Sequence, residues 1–413
     1  MKVLIVSAAD VGGGAFIAAR RLHKALLNQG VESRMLVAKK TLDEITIIGP
    51  SSNTSHTWAD IRHYMPLPLH LLHKTDNPNL HSFNIVPSSW HKIINDMDID
   101  VVNLHWVNRE MMSIADIGKI NKPIVWTLHD MWPLLGTAHY EKFHDDHAAD
   151  MPEKGFVDLD KWMYSRKASR WSHLNMAFVA PSRWMAGNVA HSRLFSQSRV
   201  ANIVNPVDMS VYRPYSKQVV REILGLKPEK FYLLFGAMTG ASDIRKGFSY
   251  LKEALYKLSP ERYSDVELLI LGGGSGTAAG IGDLPFKKHM LGRMHDDVAL
   301  SMVYNAADVY VTPSLADNLP NTVAESLCCG TPVVAFAGVG GIGDMIINGN
   351  GYLAALRDPV SLAEGIQWAL AHSKDEAFRT NIRKTAESLF AETKVADEYR
   401  QFYHSVLQQA KTA

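Results

Sequence analysis

Short apolar runs alternate with helix-like segments along the whole chain. "KVLIVSA" (2–8) reads as a buried strand that stops at Asp10 and three glycines. "AFIAARRLHKALLNQG" (15–30) reads as a helix: Ala18, Leu22, Ala25 and Leu26 share one face, and Gly30 closes it. "SRMLVAKK", "VVNLHWV" (101–107), "PIVWTLH" (123–129), "AFVAPS" and "ANIVNPVD" (201–208) continue as strands. The pattern then restarts with "FYLLFGAM" (231–238), "VELLILGGG" (266–274), "HMLGRM", "DVYVTPS" (308–314) and "PVVAFAG" (332–338). Strands separated by helices predict parallel sheets wrapped on both faces. Two such series predict an α/β protein of two Rossmann-like, doubly wound domains facing a central cleft. The expected division is 1–208 and 209–389, with a link near 209–227. A last helix, 390–413, is expected to pack back on the first domain.

Length agrees, since 413 residues exceed one ordinary domain. Lys and Arg number 43 against 42 for Asp and Glu, so charge gives no argument for nucleic acid. The only cysteines are the neighbours Cys328 and Cys329, which supply neither a disulfide framework nor a zinc set and fit a reducing cytoplasm. The N-terminal run is short for a signal peptide, and no apolar run approaches the roughly 20 residues of a membrane span. The expectation is a cytoplasmic protein, with contact at the inner membrane face left open.

Ligands of open parallel sheets gather beyond the carboxyl ends of the strands. After the first strand, Gly12, Gly13 and Gly14 let backbone amides approach a phosphate or sugar. A dinucleotide fingerprint fails there, because its third glycine position is Ile17 and the next strand ends in Lys39 and Lys40. "TLHDMWPL" puts His129 and Asp130 at a strand end. In "FGAMTGASDIRKGF", Arg245 and Lys246 precede a helix start, a pairing that suits a diphosphate. The plain alternative is a solvated surface pair.

The stretch "DNLPNTVAESLCCGTPVVAF" (317–336) holds Asp317 and Glu325 around a short helix expected at about 320–329. Val323, Ala324, Leu327 and Cys328 are expected to face inward, with Asn321 and Glu325 on the polar side. Asp317 has helix capping as its plain alternative. Capping does not account for Glu325.

These motifs resemble glycosyltransferase family four of the GT-B fold, whose pattern is E-x7-E before "GxPVVA"; here it stands as Asp317-x7-Glu325 and "GTPVVAFAG". "VAPSRWMA", "VNPVDMSVYRP", "KGF", "MHDDVALSMVYNAADVYVTPS" and "NGYLA" extend the resemblance over nearly the whole chain. "HDMWPL" is similar to enzymes of bacterial exopolysaccharide and lipopolysaccharide synthesis, such as the colanic-acid group. The resemblance implies retaining transfer from a nucleoside diphosphate sugar to a glycan or lipid-linked acceptor, without metal or further cofactor. It assigns catalysis to His129, Asp317, Lys246 and Arg245. It assigns donor binding to Glu325, Asn321, Thr322, Gly13, Gly14 and Met294: ribose hydroxyls to Glu325, diphosphate to the amides of Asn321 and Thr322, and donor-sugar hydroxyls to Asp317 and His129. This chain departs twice. Asp317 replaces the family's first Glu, and Ala237 stands where the family has Arg, a charge that Arg245 is expected to supply. Relatives with "HDxW" carry cysteines in the following loop, where this chain has only His139, His144 and His147; a solvated loop is expected there rather than a metal site.

Other readings are a sugar-nucleotide epimerase, which would act on the donor alone, and a non-catalytic sugar-nucleotide or glycan-binding protein. A nicotinamide oxidoreductase is disfavoured by the broken fingerprint. Asp96, Asp98 and Asp100 alternate like the metal-binding pair of the other large glycosyltransferase fold, but they lie where a helix turns into the start of a strand.

Overall fold

The computed structural model describes residues 1–50, 58, 61–142, 158–236, 243–259, 261, 263–272 and 280–412. It divides into two compact units: Met1–Pro206 with Glu392–Ala413, and Val207–Ala391.

The first unit is a seven-stranded sheet in the order β3-β2-β1-β4-β5-β6-β7. Its strands are β1 (Lys2–Ala9), β2 (Glu32–Lys39), β3 (Ile47–Ile48), β4 (Val101–Leu104), β5 (Ile124–Thr127), β6 (Met176–Ala180) and β7 (Val200–Asn202). Every pairing is parallel. Side chains alternate across a strand, so β1 sends Leu4 and Val6 to one core and Val3 and Ile5 to another. The second core is closed by the helices Gly14–Asn28 and Glu392–Thr412 through Ala19, Leu22, Leu26, Val395, Tyr399 and Tyr403. Two tyrosine hydroxyls tie the last helix to the sheet: Asn103 Nδ2 donates to Tyr403 Oη (2.7 Å), and Tyr399 Oη meets Thr127 Oγ1 (3.1 Å).

The second unit is a six-stranded parallel sheet, β10-β9-β8-β11-β12-β13. Its strands are β8 (Phe231–Gly236), β9 (Val266–Leu271), β10 (Lys287–Gly292), β11 (Val309–Thr312), β12 (Val333–Phe336) and β13 (Gly351–Ala354). The expected link region holds a helix, Lys217–Ile223. Two strands were absent from the pattern reading. β3 has two residues, and β13 is the four-residue "GYLA" between turns.

The strand order locates the switch points. In the first unit the order reverses between β1 and β4, and in the second between β8 and β11. Those are the positions where open parallel sheets bind ligands.

Candidate functional site

In the second unit, β8 and β11 deliver the residues at the switch point. A 3-10 turn, Ile244–Lys246, leads to Gly247, whose φ of 60° is left-handed. A Cβ at Gly247 would fall 1.9 Å from the Pro313 carbonyl oxygen, and Leu315 N donates to Arg245 O (2.7 Å). The turn is thus seated against the segment that leaves β11. Only a residue without a side chain permits that approach.

The contact brings together two residues 71 positions apart: Lys246 Nζ donates to Asp317 Oδ2 at 2.9 Å. The sequence reading gave them separate tasks. The cation expected to meet phosphate is held by the acid expected to meet sugar. Asp317 Oδ1 accepts from Asn318 N (3.0 Å), and Asp317 caps no amide of the following helix among the described residues. Gly340, at φ 47°, covers the same turn: its Cβ would lie 1.7 Å from Asp317 O. Arg245 lies along its own turn, with Nη2 on Asp243 Oδ2 (2.9 Å) and Nε on Asp243 Oδ1 (3.2 Å). Ala237, where the family has Arg, lies outside the described residues.

The helix runs Asn321–Cys328, with Pro320, whose side chain makes no cap, at the N-cap position rather than in the first turn. Asn321 is partly buried and Thr322 exposed, so the first turn is reachable. Glu325 corrects the expectation of a polar side: it is 4% exposed, and every residue from Val323 to Cys328 is buried. The helix is flanked by Asp297–Ala306 and Glu376–Phe390, which remove its polar side from water. Glu325 Oε2 accepts from Tyr304 Oη (3.0 Å). Burial, with the Glu325 charge, raises the Tyr304 hydroxyl well above its ordinary pKa, so Tyr304 stays a donor. Met294 is partly buried in the loop between β10 and the helix Asp297–Ala306.

In the first unit, Gly13 is the extended N-cap of the helix Gly14–Asn28, and Gly12 has φ 95°. Asp10, fully buried, accepts from Thr41 N (2.8 Å) and Leu42 N (2.8 Å), which fixes the start of this loop. His129 follows β5, and its Nε2 lies 2.8 Å from Nδ1 of His105, which follows β4. The rings stack at 5.0 Å between centroids. His105 was missed by sequence reading because "VVNLHWV" looked like continuous strand. It is 3% exposed, and its Nε2 has no hydrogen-bond partner among the described residues. A buried nitrogen without a partner at a switch point is the kind of signal that only coordinates give.

Asp130 frames this pair. Its Oδ2 accepts from Trp106 Nε1 (2.8 Å) and lies 2.6 Å from His139 Nδ1; its Oδ1 accepts from Trp132 N (3.0 Å). His139 is therefore fastened inside the fold rather than part of a solvated loop; His144 and His147 lie outside the described residues. Fully buried Lys167 donates to the carbonyls of Trp132, Leu135 (2.8 Å) and Gly136 (2.7 Å), which holds the turn after His129.

Burial lowers the His129 pKa to about 4 from its ordinary 6.5, against the upward pull of Asp130. His129 is thus neutral near pH 7. The unfolded chain takes up a proton between pH 6.5 and 4 that the folded chain refuses. Stability from this group is complete above 6.5 and is lost as pH falls toward 4. Denaturant titrations are expected to show stability falling from pH 7 to pH 5, with a shallower fall in His129→Gln. An identical pH dependence in both proteins would contradict the assignment.

Two doubly wound parallel sheets, of seven and six strands, are the fold of the GT-B glycosyltransferase structures. The chain belongs to the GT-B glycosyltransferases: residues 12–211 match the Glycosyltransferase Family 4 model, and residues 230–372 match Glycosyl transferases group 1. A D-inositol 3-phosphate glycosyltransferase from Xylanimonas cellulosilytica is 31% identical over 289 residues, covering 66% of this chain and 64% of that protein. D-inositol 3-phosphate glycosyltransferase 2 from Catenulispora acidiphila is 33% identical over 184 residues, covering 41% of this chain and 42% of that protein. The chain thus spans less than two thirds of the length of each of these curated relatives. They are inositol-phosphate enzymes and not members of the colanic-acid group. Among solved structures, sucrose-phosphate synthase from Thermosynechococcus elongatus superposes with a TM-score of 0.69 at 17% identity, covering 99% of this chain and all of that one. HepE from Anabaena, solved with UDP-glucose, gives 0.65 at 15% identity, covering 98% of this chain and 100% of that one. These last two likenesses concern the fold.

Proposed function

We propose that the chain transfers a sugar from a nucleoside diphosphate sugar to an acceptor hydroxyl with retention at the anomeric carbon. The Lys246–Asp317 pair, seated beside the start of the helix Asn321–Cys328, carries this reading. A diphosphate would draw Lys246 away from Asp317 and meet the helix amides, which stabilises the charge of the leaving group. Asp317 is then released to accept from sugar hydroxyls, and Glu325 with Tyr304 takes the ribose end. The bond from the anomeric carbon to the diphosphate oxygen breaks. The acceptor oxygen bonds to the same face of that carbon, and its proton passes to the departing phosphate. Neutral His129 and His105 offer ring nitrogens to hydroxyls.

No cofactor beyond the donor and no catalytic metal is part of this reading. Asp98 pairs with Lys2, the first residue of β1, and Asp100 Oδ2 accepts from Lys2 N (2.7 Å). The alternating acids therefore lie at the amino edge of the sheet, away from the ligand edge. Turnover of Asp96→Asn combined with Asp98→Asn is expected to stay within about twofold of wild type. Collapse of activity that manganese or magnesium restores would contradict this placement.

A lipid-linked acceptor of cell-surface polysaccharide or lipopolysaccharide synthesis is favoured by one surface feature. The helix Leu67–Leu72 buries none of its residues, and Tyr64, Leu71, Leu72 and Leu80 are 57–76% exposed. An apolar strip of this kind suits a membrane surface, although no described helix is long and apolar enough to cross one. The names of the curated relatives favour a second reading, a small phosphorylated polyol as acceptor. Donor panels run with each acceptor class, with vesicle sedimentation of wild type and Leu71→Glu/Leu72→Glu, separate the two. Transfer to a lipid-linked acceptor with vesicle binding lost in the variant supports the first reading. Transfer to inositol 3-phosphate, with no vesicle binding, supports the second.

A further inference from the structure

A second cluster of chemically capable side chains lies in the first unit and takes no part in the donor site. His73 follows the helix Leu67–Leu72, His81 bridges antiparallel to Ala138, and Asp160 stands in the first turn of the helix Leu159–Trp171. One donor atom from each falls within 4.8 Å of the others. We propose that His73 Nε2, His81 Nδ1 and Asp160 Oδ2 bind one zinc ion, with water in the fourth position.

The spacing is the first reason. His73 Nε2 is 3.2 Å from His81 Nδ1 and 3.6 Å from Asp160 Oδ2. A zinc tetrahedron with ligand bonds near 2.0–2.1 Å has edges of about 3.3 Å. At 3.6 Å the carboxylate is too far for a hydrogen bond to the imidazole, yet close to such an edge.

The second reason is how the other atoms of these side chains are used. His81 Nε2 lies 3.1 Å from the Asn77 carbonyl oxygen, to which it can only donate. The lone pair of neutral His81 is therefore on Nδ1, which meets Thr137 Oγ1 (2.8 Å) and His73 Nε2 (3.2 Å). Asp160 divides its oxygens: Oδ1 accepts from Thr137 N (2.8 Å) and from Thr137 Oγ1, while Oδ2 is turned to His73. Thr137 Oγ1 now lies between the two rings, 2.8 Å from His81 Nδ1 and 3.1 Å from His73 Nε2, so an ion would take over these contacts; the backbone-anchored outer atoms of His81 and Asp160 are those of a zinc first coordination sphere. His73 and Asp160 also line a cavity of about 420 Å³, which gives an ion and its water a way in. A bound ion would fasten the 73–81 segment to the helix Leu159–Trp171, on either side of the turn that follows His129.

Asp160→Asn is the cleanest variant, because its amide oxygen can keep the Thr137 bonds while an NH2 replaces Oδ2. Full-length protein, stripped with EDTA and dialysed, is titrated with zinc and assayed for bound metal and thermal midpoint. The expected result is about one zinc per chain, with a raised midpoint since the ion binds the folded state. Asp160→Asn, His73→Ala and His81→Ala should each weaken zinc by at least about tenfold. Wild type that holds no zinc above background and shows no shift overturns the proposal. So does wild-type affinity in Asp160→Asn, or a loss confined to His144→Ala/His147→Ala.

Discussion

Glu325→Ala is expected to weaken binding of a nucleoside diphosphate by roughly 1.5–3 kcal/mol, about 10- to 150-fold. Glu325 is 4% exposed, and its carboxylate accepts from Tyr304 Oη at 3.0 Å. A ribose hydroxyl that reaches a carboxylate this buried would find a strong acceptor in a place nearly free of water. The substitution also leaves Tyr304 Oη without that acceptor, so some loss of stability is expected with the loss of affinity. Glu325→Gln separates the two effects: it keeps an oxygen for Tyr304 and removes the charge. Calorimetric titration of the diphosphate and of the bare nucleoside checks the assignment. Both ligands should weaken together, since the ribose is common to them. Titrations unchanged in Glu325→Ala would remove Glu325 from the site.

Lys246→Ala should act on a different part of the same ligand. Loss of a charged hydrogen bond to phosphate corresponds to about 1.5–3 kcal/mol. The nucleoside should bind as before while the diphosphate weakens. The ion pair with Asp317 adds a second expectation, one the sequence did not suggest. Asp317 competes with phosphate for Lys246 and repels it, so Asp317→Asn should bind the bare diphosphate somewhat more tightly while turning over the sugar donor more slowly. Equal weakening of nucleoside and diphosphate in Lys246→Ala would make it a positioning residue. Weaker diphosphate binding in Asp317→Asn would mean that the acid orients Lys246 rather than competing for it.

Alternation of strand and helix was enough to read two doubly wound units, because parallel strands buried on both faces appear as continuous apolar runs. Runs of two and four residues carry too little pattern, which is why β3 and β13 went unread. Strand order, and with it the switch points, is set by long-range pairing and is invisible to periodicity. The sequence nominates candidates where chemistry sits beside a break: Gly12–Gly14, His129, Arg245, Lys246 and the acids around Pro320. Contacts between distant segments leave no such mark. Nothing local shows that Lys246 touches Asp317, that His105 stacks on His129, or that neighbouring helices bury Glu325. A three-to-four spacing assigns residues to one side of a helix, but only the packing decides whether that side meets water.

The switch point of the second unit is expected to hold a nucleoside diphosphate sugar. Titrating uridine, adenosine, guanosine and thymidine diphosphates and their sugar conjugates into wild type and Lys246→Ala/Glu325→Ala tests it most directly. One of these ligands is expected to bind wild type saturably at one per chain and to show no binding to the double variant over the same range. Equal binding by both proteins, or no binding by wild type to any member of the panel, would contradict the claim.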